Sequence, residues 1–142
     1  LPSNMDAWDG NPAARDRLFA ASLEAAANLL VLAGATHTAW NFDLAHEGQK
    51  VGVEFATSSV SSPGLESYLG MVPPQVLAGA LVAENEELLW ADTSQRGYMV
   101  LDLTPSAATS EWRFLACIKQ RPTQLAATHS ASVVSVAKAQ GG

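Results

Sequence analysis

Two rhythms of apolar residues run along the chain. Residues 12–27 place Leu18, Phe19, Leu23 and Ala26 on one face at helical spacing, with abundant alanine and no glycine, and predict a helix. Asn11 suits its N-cap and Pro12 its first turn, where proline's missing N–H costs nothing. Residues 29–33 are apolar without a break and too few for a helix, which predicts a strand covered on both faces. Gly34 to Thr38 then read as the loop after that strand. Residues 40–44 and 51–55 alternate apolar and polar, predicting a hairpin around a turn at 46–50. A serine-rich loop occupies 56–64, followed by a helical turn at 65–69. Pro73 and Pro74 break the chain before a helix at 75–83, ended by Asn85. From Glu87 onward the pattern is β, with strands at 88–92, 98–103 and 109–118 read as an antiparallel meander. In the third strand Trp112, Phe114 and Ala116 share one face, with Glu111, Arg113 and Leu115 on the other. After Pro122 no element is assigned. The order of elements predicts a layered α/β (α+β) fold, with residues 1–121 as one unit and 122–142 as a tail.

Composition narrows the classes of function. The 142 residues suffice for one domain with a core. A net charge of -6 and the absence of a basic cluster argue against a nucleic-acid interface. No apolar run approaches the roughly 18 residues of a membrane span, and the N-terminus has no signal-peptide pattern. The chain opens on Leu1 rather than methionine, which suggests a piece of a longer or processed protein. The single cysteine, Cys117, forms no internal disulfide and lies in an apolar run, reading as a packed thiol rather than a nucleophile.

Candidate chemistry is sparse. Of three histidines, His46 falls in the hairpin turn and His129 in the tail, both read as solvated. His37 stands at a strand end beside Gly34, a glycine suited to a sharp turn, as a structural residue or a metal ligand. Asp9, Asn11, Asn41 and Asp43 are further ligand candidates by position. The loop around Ser59 and Ser61 is either purely structural or lines a polar pocket. Arg15 and Arg17 read as a solvated helix face, or as one residue directed back toward the site. No G-x-S-x-G, glycine-rich phosphate loop or CxxC is present. Ser61 or Ser62 as a nucleophile is disfavoured, because no histidine is placed in sequence to serve it.

The motifs taken together resemble a known family. Trp8-Asp9-Gly10-Asn11-Pro12-Ala13-Ala14-Arg15-Asp16-Arg17-Leu18 resembles the W-D-G-Y-P-x-x-R-x-R-L segment of PhoD-like alkaline phosphatases (the alkaline phosphatase D family). Val31-Leu32-Ala33-Gly34-Ala35-Thr36-His37-Thr38-Ala39-Trp40 is similar to its V-L-[ST]-G-D-x-H-x-x-W. Val51-Gly52-Val53-Glu54-Phe55 with Ser61-Ser62-Pro63-Gly64, and then Arg96-Gly97-Tyr98, Leu103-Thr104-Pro105 and Trp112-Arg113-Phe114, resemble its later motifs in order. The resemblance implies a metal-dependent phosphoric ester hydrolase with a calcineurin-like metallophosphoesterase β-sandwich flanked by helices. This chain would be its C-terminal portion, ending in the antiparallel meander. It further implies iron and calcium as cofactors, a phosphate-ester substrate, a periplasmic or secreted location, and an N-terminal half of the same protein as partner. His37 carries over as a metal ligand. Asp9, Asn11, Trp40, Ser59 and Ser61 become pocket or supporting residues. No catalytic residue carries over with certainty, because the family's aspartate is Ala35 here. The family's tyrosine after W-D-G is Asn11. Loss of that carboxylate leaves a second reading, a non-catalytic structural or binding domain derived from a phosphatase.

Overall fold

The computed structural model describes residues 8–120 and 124–134, and for Asp9 only the backbone. A short 3-10 turn, Trp8–Gly10, leads into helix α1, Pro12–Glu24, followed by strand β1, Leu29–Ala33, β2, Ala39–His46, and β3, Gln49–Ala56. After a second 3-10 turn, Leu65–Ser67, come helix α2, Pro74–Glu84, and strands β4, Leu88–Asp92, β5, Gly97–Leu103, β6, Ala107–Leu115, and β7, Leu125–Val134. The strands form two sheets, ordered β1-β3-β2-β4 and β5-β6-β7.

The hairpin β2–β3 closes through Glu47 and Gly48, with φ of 51° and 78°. Two successive left-handed residues make the turn whose twist matches that of the strands. β1 lies parallel to β3, pairing Leu29 with Gly52 through Ala33 with Ala56. The inner face of this sheet presents Ala39, Val53 and Phe55 to Trp112 and Phe114 of β6, all buried. Phe55 meets Trp112 edge-on, with centroids 5.6 Å apart. The result is an α+β architecture, a β-sandwich with helices against the first sheet.

The structure revises several expectations. α1 occupies its predicted place, but only Phe19 and Ser22 are buried, while Leu18 is exposed and Ala26 lies beyond the helix at φ 49°. The helix meets the sheet along a narrow strip, not along the whole predicted face. Asn11 takes the N-cap position without a side-chain cap bond. β1 is not covered on both faces, for Leu32 is 53% exposed, and among the described residues it lies at the edge of its sheet. β4 does not belong to the meander. It pairs with β2 from Ala39–Asp92 onward, so the chain changes sheets after Asp92. The Asp92 carboxylate accepts the N–H groups of Ser94 and Gln95, which turns the chain at that crossing.

The third strand of the meander comes instead from the tail, where β7 pairs with β6 along its length. That strand takes His129 partly out of solvent. The imidazole stacks on Trp90 with centroids 3.8 Å apart and planes 8° from parallel, and burial lowers its pKa. His46 is also half-buried, its ring edge-on to Phe19 at 6.4 Å. Cys117 is exposed rather than packed, because β6 ends at Leu115 and the chain leaves the core there. Ala116 is exposed for the same reason.

Candidate functional site

β1 and β3 run side by side and end together at Ala33 and Ala56, so the loops that follow them are neighbours. Thr57 N–H donates to the Ala33 carbonyl at 2.9 Å, continuing the pairing one step into the loops. The sharp turn after β1 is not made by Gly34, whose φ is not positive. His37 itself takes the left-handed conformation, at φ 57°. Non-glycine residues are uncommon in that region, and histidine is among those that enter it most readily. Its imidazole Nδ1 lies 2.9 Å from the Pro63 carbonyl in the serine-rich loop. A carbonyl oxygen only accepts, so Nδ1 carries the proton and Nε2 keeps its lone pair in the neutral ring.

The two loops are joined by Arg96, which the sequence reading placed in the Arg96-Gly97-Tyr98 motif without giving it a role at the site. Arg96, 5% exposed, donates through Nη1 to the carbonyls of His37 and Gln95, and through Nη2 to that of Ser94, each at 3.1 Å. Its Nη2 also pairs with Glu66 Oε1 at 2.5 Å. Burial would raise the Glu66 pKa. The hydrogen bond from Arg96, the N–H groups of Gly64 and of Glu66 itself, and the Arg96 charge outweigh it and lower that pKa below the usual carboxylate value. Gly64 passes so close to the guanidinium and the Glu66 carboxylate that a Cβ would collide with both. The sequence signal for Arg96 was its place in the Arg96-Gly97-Tyr98 motif; Glu66 gave none.

The other candidates scatter. Ala35 is exposed in the same loop as His37, so an aspartate there would lie on the same turn. Trp40, at the start of β2, donates its indole N–H to Glu54 at 2.7 Å. Ser59 donates to the Ser62 carbonyl at 2.5 Å, and its own carbonyl accepts from Gly97 at 3.1 Å, so it shapes the loop. Ser61 and Ser62 are exposed, and His37 spends Nδ1 on Pro63 rather than on either hydroxyl. Asn11 sits at the start of α1, and the Asp9 side chain lies outside the described residues. Asn41 and Asp43 point to the face of the sheet opposite Trp40, and Asp43 is paired with Lys50 at 2.6 Å toward the hairpin turn. Thr57 Oγ1 and Ser58 Oγ are buried beside the His37 loop with no hydrogen-bond partner among the described residues. A cleft of about 230 Å³ opens elsewhere, between the first turn of α2 and the end of β4.

Among the described residues no group of three or more His, Cys, Asp or Glu side chains could hold a metal ion. His37 therefore belongs to no such group among the described residues. Among them, too, no helix is long and apolar enough to cross a membrane.

The fold matches that of a solved protein described as "Structure of PhoD", with a TM-score of 0.68 and 21% identity, over 93% of this chain and 25% of the other. At that identity the match speaks for the fold alone; the chain spans about a quarter of the length of that protein. A search of curated proteins found no match. A sequence profile described as PhoD-like phosphatase matches residues 1–112, taking in the turn before α1, both site loops and Arg96. The chain belongs to the PhoD-like phosphatase family.

Proposed function

We propose that this chain forms the C-terminal portion of a metal-dependent phosphoric ester hydrolase of the alkaline phosphatase D type, and that it contributes His37 as a metal ligand. The observation that carries this reading is the His37 ring, with Nδ1 bonded to the Pro63 carbonyl and Nε2 left as the acceptor. Metal-ligating histidines are oriented in this way by a carbonyl or carboxylate on the other nitrogen. Iron and calcium at the site, a periplasmic or secreted location, and an N-terminal half supplying the remaining ligands belong to the same proposal and rest on family membership. The metal ions would neutralise phosphate charge and favour attack by an oxygen nucleophile. This chain's own part is to hold one ligand rigid at the loop and to keep the serine-rich loop beside it. Buried hydroxyls of Thr57 and Ser58 lie there without partners among the described residues.

Ala35 bears on activity. A carboxylate missing from the His37 turn removes a negative charge and a donor, so metal occupancy and rate both fall. The loss is expected to reach at least the about 10–100-fold that changing a supporting residue costs. The isolated chain is expected not to turn over p-nitrophenyl phosphate with any added divalent metal; measurable metal-dependent turnover would sink the reading. Ala35→Asp in the full-length protein is expected to raise turnover. The second reading, a non-catalytic domain derived from a phosphatase, is favoured by Ala35 itself. It gains if Ala35→Asp binds metal and still fails to hydrolyse ester.

A further inference from the structure

We propose that the Arg96–Glu66 ion pair is a positioning device that fixes which nitrogen of His37 carries the proton. The bonds around His37 form a closed circuit. Arg96 Nη1 holds the His37 carbonyl at 3.1 Å, and so the left-handed backbone from which the ring departs. Arg96 Nη2 holds Glu66 Oε1 at 2.5 Å, and that same oxygen accepts the Gly64 N–H at 3.1 Å. Gly64 follows Pro63, whose carbonyl receives His37 Nδ1 at 2.9 Å. Both ends of the His37–Pro63 bond are therefore anchored on one ion pair: the donor's backbone on the guanidinium, the acceptor's peptide on the carboxylate.

The circuit is rooted in the rest of the fold. The Arg96 carbonyl accepts the Leu115 N–H at 2.8 Å, at the end of β6, and the neighbouring Gly97 N–H donates to Ser59 at 3.1 Å. With its guanidinium bonds directed at three carbonyls and one carboxylate, Arg96 has little freedom to rotate away, and its planar fork suits several acceptors at once. Lysine offers a single point charge and cannot serve the same set. The ring of a solvated histidine side chain favours the proton on Nε2. Holding it on Nδ1 requires the Pro63 carbonyl to stay in place, which is what Glu66 and Gly64 secure. Neither residue reaches a reacting atom by this argument; both act through His37. The clamp rests on the ligand reading only for its purpose, the presentation of Nε2.

Long-range ¹⁵N NMR of the histidine rings, above the pH at which they protonate, tests the clamp. His37 of the unaltered chain is expected to show the Nδ1–H form as its dominant tautomer. In Arg96→Met that form should fall to a minority, in Arg96→Lys recover only in part, and His46 and His129 should keep their spectra. An unchanged His37 tautomer in folded Arg96→Met, or equal shifts at all three histidines, would overturn the proposal. Should Arg96→Met fail to fold, Glu66→Met, which removes the shared acceptor at a side chain that is 31% exposed, decides the matter in the same way. Cobalt(II) titration of the full-length protein, in which the N-terminal half would supply the remaining ligands, tests the ligand reading separately. Absence of broadening at His37 rejects that reading, while the tautomer change still upholds the clamp.

Discussion

Trp112 donates its indole N–H to the Ala56 carbonyl across the sandwich at 2.7 Å, with the ring fully buried. One side chain thus fills the space between the sheets and pins β6 to the last residue of β3, the point where the site loop begins. Trp112→Phe keeps an aromatic ring but removes the donor and some volume. A lost buried hydrogen bond costs about 1–3 kcal/mol, and a partly collapsed cavity adds to it. The midpoint of urea unfolding should fall accordingly, with the slope unchanged.

Gly52 of β3 pairs with Leu29 at the start of β1. A Cβ there would run into the backbone carbonyl of Leu29, which cannot swing aside as a side chain tip could. Gly52→Ala should cost about 1–3 kcal/mol, the usual range for forced overpacking. Amide hydrogen exchange should accelerate first in residues 29–33, and uniform protection would show that the strands had absorbed the methyl group.

His129 makes stability depend on pH. Its folded pKa is lowered by burial against Trp90. Below the unfolded value, near 6.5, the unfolded chain therefore takes up a proton more readily than the folded one. Its contribution is whole above that value and is lost as pH falls toward the folded pKa. Unfolding midpoints measured down this window should decline, and His129→Gln should flatten the decline while lowering stability throughout.

Cys117 is exposed at the end of β6. It should react with a thiol reagent in the native chain at a rate close to that in urea. Protection by more than about a hundredfold would place the thiol in a core, since protection scales with the free energy of opening.

Much of the fold was legible because local chemistry and tertiary structure agree. Glu47-Gly48 mark a hairpin turn, Pro74 opens α2 and Asn85 closes it, and the alternation of Trp112 and Phe114 gives the buried face of β6. What local pattern could not carry was partnership. Nothing in residues 88–92 says that they pair with β2 and not with β5. The small polar residues of β7 carry no apolar alternation, and become a strand because β6 offers its edge along its whole length. The site divides the same way. His37 was visible as a histidine after an apolar strand, but Arg96 holds it from 59 residues away, a relation with no sequence period. Cys117 misled because an apolar run was read as strand past Leu115, where the sheet had already ended.

β1 has a further consequence for handling the chain. It is paired along one edge only among the described residues, consists of five apolar residues, and has neither a charge nor a proline within it. Proteins usually guard such an edge with a charge, a proline or a bulge. Left bare, it is a template on which a second extended segment can add, so the purified chain should self-associate as its concentration rises. A single lysine at Leu32, already half in solvent, should hold it in solution.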